Sequence, residues 1–297
     1  MDATQTYKQR TSFLRDFAEI TKIRLSVSVV FSSLAGYVLA ADQVSSLTLL
    51  LLAMGGFFLV GASNAFNQII ERDLDGKMNR TRNRPLPTGR MTVNTAFAIA
   101  SFFTLAGISI LYVINPKTAM FGAISIFLYV SAYTPLKTKT PLSIFVGAIP
   151  GAIPFMLGWV AASGSFGIEP GTLFMIQFFW QFPHFWAIGW FCDKDYQKGG
   201  FLMLPTGKKD KSTAVQIVLY TLWTIIASLV PALGVTGDLH LSIPAAIGIG
   251  VLGGFLLWFA VDLYRKRTDT AARKLMLVSV LYISLLQIVY VVDKWMW

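Results

Sequence analysis

"NAFNQIIERDLDGKMNRTRNRP", residues 64–85, decides the reading of this chain. It follows directly on a long apolar run. It opens with amides and carboxylates and closes with a dense set of arginines. If the preceding helix continues through it, each residue advances by about 100°. Asn67, Glu71 and Asp75 then fall at about 0°, 40° and 80°, with Asn64 at about 60°, and Asp73 points away near 240°. Four oxygen-bearing side chains share one narrow face, and Gly76 is placed to end the helix. Hard divalent cations take oxygen ligands, and magnesium commonly combines one or two carboxylates with substrate phosphate oxygens. Arg80, Arg82 and Arg84 follow, and a guanidinium matches phosphate oxygens with paired N–H donors. The stretch therefore offers both halves of a metal–diphosphate site. Acidic groups at membrane depth are expensive and tend to face a cavity.

Working outward, the chain has 297 residues, is 55% hydrophobic and has a mean hydropathy of +0.60. Its apolar residues come in long uncharged runs rather than at amphipathic spacing, which is the pattern of a multi-pass membrane protein. The runs predict nine spans, at residues 22–40, 47–68, 93–114, 118–134, 142–162, 171–190, 213–234, 242–262 and 274–293. The expected architecture is all-α, with residues 1–297 forming one membrane-embedded domain and residues 1–21 a cytoplasmic lead-in. Within that lead-in Phe13, Leu14, Phe17, Ile20 and Ile23 recur near helical spacing. The segment either lies along the interface or runs straight into the first span. The single cysteine, Cys192, excludes a disulfide framework.

The net charge of +10 is sorted by loop. Of the 25 Lys and Arg residues, only Lys117 and Lys294 fall on the side opposite the N-terminus. The rest lie before span 1 and after spans 2, 4, 6 and 8, where Lys8, Arg10, Lys137, Lys198 and Arg265 are examples. The positive-inside rule accounts for this asymmetry without a nucleic-acid partner. It places the N-terminus in the cytoplasm and the C-terminus outside.

Residues 191–206, FCDKDYQKGGFLMLPT, bring a second polar cluster to the same membrane level. They offer Asp193, Lys194, Asp195, Tyr196 and Lys198. Two acidic–basic clusters at one level suit a polyanion clamped between metal ions. His184 sits inside span 6, in WQFPHFWAIGW, among Trp180, Phe182, Phe185, Trp186 and Trp190. A lone intramembrane histidine serves as a structural hydrogen-bonder, a metal ligand or a proton carrier. The run GAIPGAIPFMLGW, residues 147–159, signals a bent helix beside a cavity or close packing through small residues.

Asn67-x-x-x-Glu71-x-x-x-Asp75 resembles the first acidic motif of the UbiA superfamily of intramembrane prenyltransferases, with Glu71 where that family usually has Asp. The strings NRTRNRPLPTG, YTPLKTKTPLS, GAIPGAIPFMLGW, WQFPHFWAIGW and DYQKGGFLMLP resemble its heme-farnesylating branch, with Leu202 where that branch commonly has Pro. The likeness runs from about Lys22 to the last span.

The resemblance implies nine helices around a central cavity in a bacterial plasma membrane, with a cytoplasmic polar cap. It implies farnesyl diphosphate as donor, heme B as acceptor and magnesium as cofactor. A downstream heme A synthase or terminal oxidase would receive the product. Asn67, Glu71 and Asp75 would then hold one metal ion, and Asp193 or Asp195 a second. Arg80, Arg84, Lys137 and Lys198 would neutralise diphosphate. Asn64, Tyr133 and Tyr196 would line the substrate site, and His184 would hold the heme iron or orient the porphyrin. Quinone-type prenyl transfer is the nearest rival. An anion transporter is a rival from another class, but transporters carry repeats and mid-membrane polar sites, and neither is evident here.

Overall fold

The computed structural model describes residues 12–296, all of them helix or loop. Lys8, Arg10, Thr11 and the two termini, Met1 and Trp297, lie outside the described residues.

The described part of the lead-in is a helix of its own. Helix α1 (Phe13–Thr21) is capped by Ser12, whose side chain accepts from the Arg15 N–H. It ends at Lys22, which takes the left-handed conformation at φ 47° and ψ 57° and starts α2 (Ile23–Ala40) in a new direction. The Gln68 amide donates to the Glu19 and Ile20 carbonyls at 3.2 and 2.9 Å, and Arg90 pairs with Asp16 at 3.0 Å. These contacts tie α1 to the polar end of the bundle.

The remaining elements follow the expected spans closely. They are α3 (Ser46–Ile70), the single turn α4 (Arg72–Asp75), α5 (Val93–Ile114), α6 (Pro116–Phe127), α7 (Thr134–Leu136), α8 (Ser143–Ser163), α9 (Ile168–Phe191), α10 (Asp193–Lys198), α11 (Lys211–Leu229), α12 (Ile243–Lys266) and α13 (Asp269–Met296). Caps set several of the starts: Ser45, Thr92, Asn115, Asp210 and Ser242 each accept an N–H from three residues on. Helix α13 extends further than predicted, because it begins in the polar Asp269–Lys274 stretch before entering its apolar run.

Among the described residues, eight helical segments are long and apolar enough to cross a membrane. The one expected span outside these eight is the sixth, helix α9. It is 24 residues long and packs against α8, α11 and α13, but Gln177, Gln181, Pro183 and His184 lower its hydropathy. Neighbours pack α2 on α3 and α8, α3 on α5, α8 on α9, and α12 on α11 and α13. Contact of α13 with α2 closes the ring. Side chains such as Phe102, Leu105, Val251 and Trp258 are exposed on the outside, as lipid-facing positions require.

Helix α8 lies deepest, and its Pro/Gly run both lines the cavity and packs closely through small residues. A Cβ on Gly158 would meet the Ser33 carbonyl at 1.9 Å, so α2 and α8 touch backbone to backbone there. Pro154 has no N–H for the Pro150 carbonyl, which instead accepts from Ser125 Oγ at 3.2 Å. The α6–α7 span is not regular either. Residues Leu128–Tyr133 form a π-turn, and Thr134 Oγ1 donates to the Tyr129 carbonyl across it at 2.8 Å. Such turns re-aim side chains and are frequent at functional sites. Here Tyr129 and Tyr133 both reach the central cavity.

Candidate active site

A cavity of about 820 Å³ runs into the bundle from its polar end. One end is lined by charges, and the rest by mostly apolar side chains from α2, α8, α9 and α13, with Ser32, Gln177, Gln181, His184 and Gln287 among them. That volume suits a substrate well above the smallest metabolites.

Asn64, Asn67, Glu71 and Asp75 all line it, at 2%, 2%, 4% and 1% exposure. Helix α3 ends at Ile70, yet the facing persists across the break. The Glu71 N–H donates to Asn67 O at 2.9 Å and the Asp75 N–H to Glu71 O at 2.7 Å, so the four-residue stagger is kept. Asp73 is 81% exposed and pairs only with its neighbour Arg72.

The carboxylates are matched one to one with cations. Asp75 Oδ2 receives Arg84 Nη1 at 2.6 Å, and Glu71 Oε1 lies 2.8 Å from Lys137 Nζ. Asn67 Nδ2 donates to Thr134 Oγ1 at 3.2 Å, which ties the motif to the π-turn. Arg80 lines the cavity, donates to the Tyr196 hydroxyl at 3.2 Å and lies over that ring. Lys137 lies 4.5 Å from the Tyr133 ring centre. Thus Arg80, Arg84, Lys137, Tyr133 and Tyr196 come together with the first motif.

Apart from Tyr196, the second cluster does not join them. Asp193, Asp195 and Lys198 are absent from the cavity wall. Asp193 accepts from its helical neighbour Gln197 at 3.0 Å. Asp195 accepts backbone N–H groups of Asn79 and Arg80 at 2.8 and 3.0 Å, and Lys198 stands 3.6 Å away. Burial raises the Asp195 pKa, but these donors and Lys198 outweigh it and hold the carboxyl below its usual range. Asp195 thereby pins the loop that carries Arg80.

His184 lines the cavity. Its ring stacks on Trp180 at 4.8 Å, and Nδ1 lies 2.8 Å from Ser279 Oγ. Phe185 also lines the cavity, whereas Trp186 turns inward against Tyr220 and Trp190 is fully buried. The stretch WQFPHFWAIGW therefore splits between cavity wall and core.

Sequence reasoning missed Lys22 as a site residue, because it reads as one more topology charge. The structure places it in the cavity wall at the α1–α2 break. Burial, then the nearby Arg84 and Lys137 charges, bring its pKa down to about 7. Tyr129 was missed because only the π-turn turns it inward.

Unmatched buried oxygens favour a divalent cation among these groups. Asp75 Oδ1 and Asn64 Oδ1 are buried with no hydrogen-bond partner, and unmatched buried oxygens are costly. Among the described residues, no three His, Cys, Asp or Glu side chains form a closed metal cage. Two carboxylates with amide oxygens leave room for phosphate oxygens in the coordination sphere, as magnesium prefers.

Residues 29–286 match the model of the UbiA prenyltransferase family. The chain is 67% identical to the protoheme IX farnesyltransferase of Christiangramia forsetii, across 99% of this chain and 98% of that one. It is 64% identical to that of Flavobacterium psychrophilum over the full length of both. Among solved structures, that of a digeranylgeranylglyceryl phosphate synthase superposes with a TM-score of 0.78 at 17% identity, covering 95% of this chain and 98% of that one. A UbiA homologue from Archaeoglobus fulgidus bound to DMAPP and Mg2+ superposes at 0.66 with 15% identity, covering 93% and 99%. At such identities these structures speak to the fold.

Proposed function

The chain belongs to the UbiA prenyltransferase family, and from that premise we propose that it farnesylates heme B in the membrane. The farnesyl group of farnesyl diphosphate joins a vinyl group of heme B, water adds, and heme O and diphosphate are formed. The observation that carries this reading is one cavity with a carboxylate–cation cap above an apolar wall.

Asn67, Glu71 and Asp75, with Asn64, would hold magnesium at the cap. Bound there, the ion supplies Lewis acidity toward the diphosphate oxygens. Arg80, Arg84, Lys137 and Lys22 bind those oxygens and take up the charge that develops as the allylic C–O bond breaks. The Tyr133 and Tyr196 rings hold Lys137 and Arg80 over the diphosphate. The apolar wall below receives the farnesyl chain. The terminal vinyl carbon then bonds to C1 of the farnesyl group, and the electron pair of the C–O bond leaves with diphosphate. We assign Asp195 and Lys198 to positioning the Arg80 loop rather than to a metal ion, and Asp193 to neither.

His184 faces the acceptor. Ser279 Oγ donates its proton to the Met276 carbonyl at 2.7 Å, so it accepts from His184 Nδ1. Nε2 then keeps its lone pair, the form that ligates heme iron. The charge asymmetry favours a cytoplasmic cap in a bacterial plasma membrane, with heme O passed to a heme A synthase or terminal oxidase.

The test is purified chain with farnesyl diphosphate, magnesium and either heme B or an aromatic acid. Mass analysis is expected to find farnesylated, hydrated heme. A prenylated aromatic acid beside unmodified heme would refute the heme reading.

A further inference from the structure

One helical turn from His184, beginning at Gln181, the cavity wall carries a seam of neutral polar groups that the steps above leave unused. Ser32 on α2, Gln177 and Gln181 on α9, and Gln287 on α13 all line the cavity and are nearly or fully buried. Gln287 Nε2 donates to Ser32 Oγ at 3.0 Å and lies 3.4 Å from Gln177 Oε1. Gln181 Nε2 donates to the Ala148 carbonyl at 2.9 Å. Among the described residues, none donates to Gln181 Oε1.

This seam is costly. Amides in a span disfavour insertion, and they help keep α9 below the apolarity of the other spans. The chain also makes room for one of them. A Cβ on Gly151 would sit 2.0 Å from Gln181 Oε1, so the amide oxygen occupies space that only glycine leaves open.

Resting on the heme reading, we propose that this seam holds and orients the water that completes the product, with Gln181 Oε1 as its acceptor. Carbon–carbon bond formation leaves a cation on the former vinyl carbon next to the porphyrin. Two fates compete for it. Water adds through oxygen and loses one proton to the departing diphosphate, giving the hydroxyethylfarnesyl group. Otherwise the neighbouring CH2 loses a proton, giving an alkene lighter by one water. An apolar cavity favours the alkene, because a cavity lined only by hydrocarbon stays dry. Polar groups with free acceptor capacity hold water at that depth. The seam selects the alcohol.

The test is product analysis rather than rate alone. Gln181→Met removes the acceptor at similar volume. Gly151→Ala keeps every polar atom but displaces the flexible end of Gln181. Each variant is incubated in membranes with farnesyl diphosphate, magnesium and heme B in 18O-labelled water, and the farnesylated hemes are weighed. The unaltered chain is expected to give the 18O-labelled alcohol. Both variants are expected to raise the alkene-to-alcohol ratio at least tenfold. An unchanged ratio in either variant overturns the proposal. Complete loss of farnesylated heme in both also overturns it, since orienting water is not required for the carbon–carbon bond. Absence of farnesylated heme from the unaltered chain would instead strike the heme reading itself.

Discussion

Asp75 carries a single oxygen bonded to Arg84 and a second that is buried without a donor. Glu71 stands one turn away beside Lys137. Removing either carboxylate charge takes away a contact that is stronger in the transition state than in the ground state. Glu71→Gln and Asp75→Asn are therefore expected to lower kcat by on the order of 100-fold or more, while Asp73→Asn stays within a few-fold. Steady-state diphosphate release checks this, with thermal unfolding to confirm a retained fold, because each change leaves a buried cation unpaired. Equal losses at all three positions would contradict the observed facing. That facing was legible from four-residue spacing alone. Lys22 was not, since nothing in the sequence marks the left-handed turn that swings it into the cavity. Its lowered pKa gives a pH prediction. In the free enzyme Lys22 is cationic below about pH 7 and loses its charge as pH rises through that value. KM for farnesyl diphosphate should rise over the same range. Lys22→Met should flatten that rise, and a titration of KM against pH reads both. For the acceptor, Ser279→Ala and His184→Ala should raise KM for heme B while leaving the donor KM little changed. An equal rise in both constants would return His184 to a structural role.

At the scale of elements, the 76–92 loop links the cap to the rest of the bundle. Thr81 Oγ1 donates to the Asp75 carbonyl at 2.9 Å, and Asp195 receives the Asn79 and Arg80 N–H groups. Asp195→Asn keeps one carbonyl acceptor and loses the charge. We expect faster amide exchange at Asn79 and Arg80 and a KM for farnesyl diphosphate raised by about 3- to 10-fold, the scale of one charge-assisted hydrogen bond. Because Asp195 is held below its usual range, the pin is intact above ordinary aspartate pKa values. It releases as pH falls through the lowered one. Slow exchange unchanged in the variant would show that other contacts hold the loop. The sequence offers Asp193 or Asp195 to a second metal ion because acids and bases recur there at the right membrane level, and the structure leaves both off the cavity wall. Membrane level is one coordinate only, and the direction of a short helix such as α10 depends on tertiary contacts that spacing does not record. The π-turn of Leu128–Tyr133 was hidden for the same reason.

For the whole molecule, apolar run length and loop charge set out the spans before any coordinates. Helix α9 was legible as a span by its length and its flanks, even though its glutamines and histidine reduce its apolarity. What the runs could not give is the ring closure of α13 on α2 and the approach of α2 to α8 at Gly158, both of which depend on which face of each helix turns inward. One fold joins a charged cap to an acceptor cavity, and farnesylated heme is made through that cap. The most direct measurement is mass spectrometry of hemes from cells lacking their own heme farnesyltransferase that express either this chain or its Asp75→Asn variant. Heme O is expected with the former and unmodified heme B with the latter. Heme B alone in both, with the unaltered chain folded in the membrane, would contradict it.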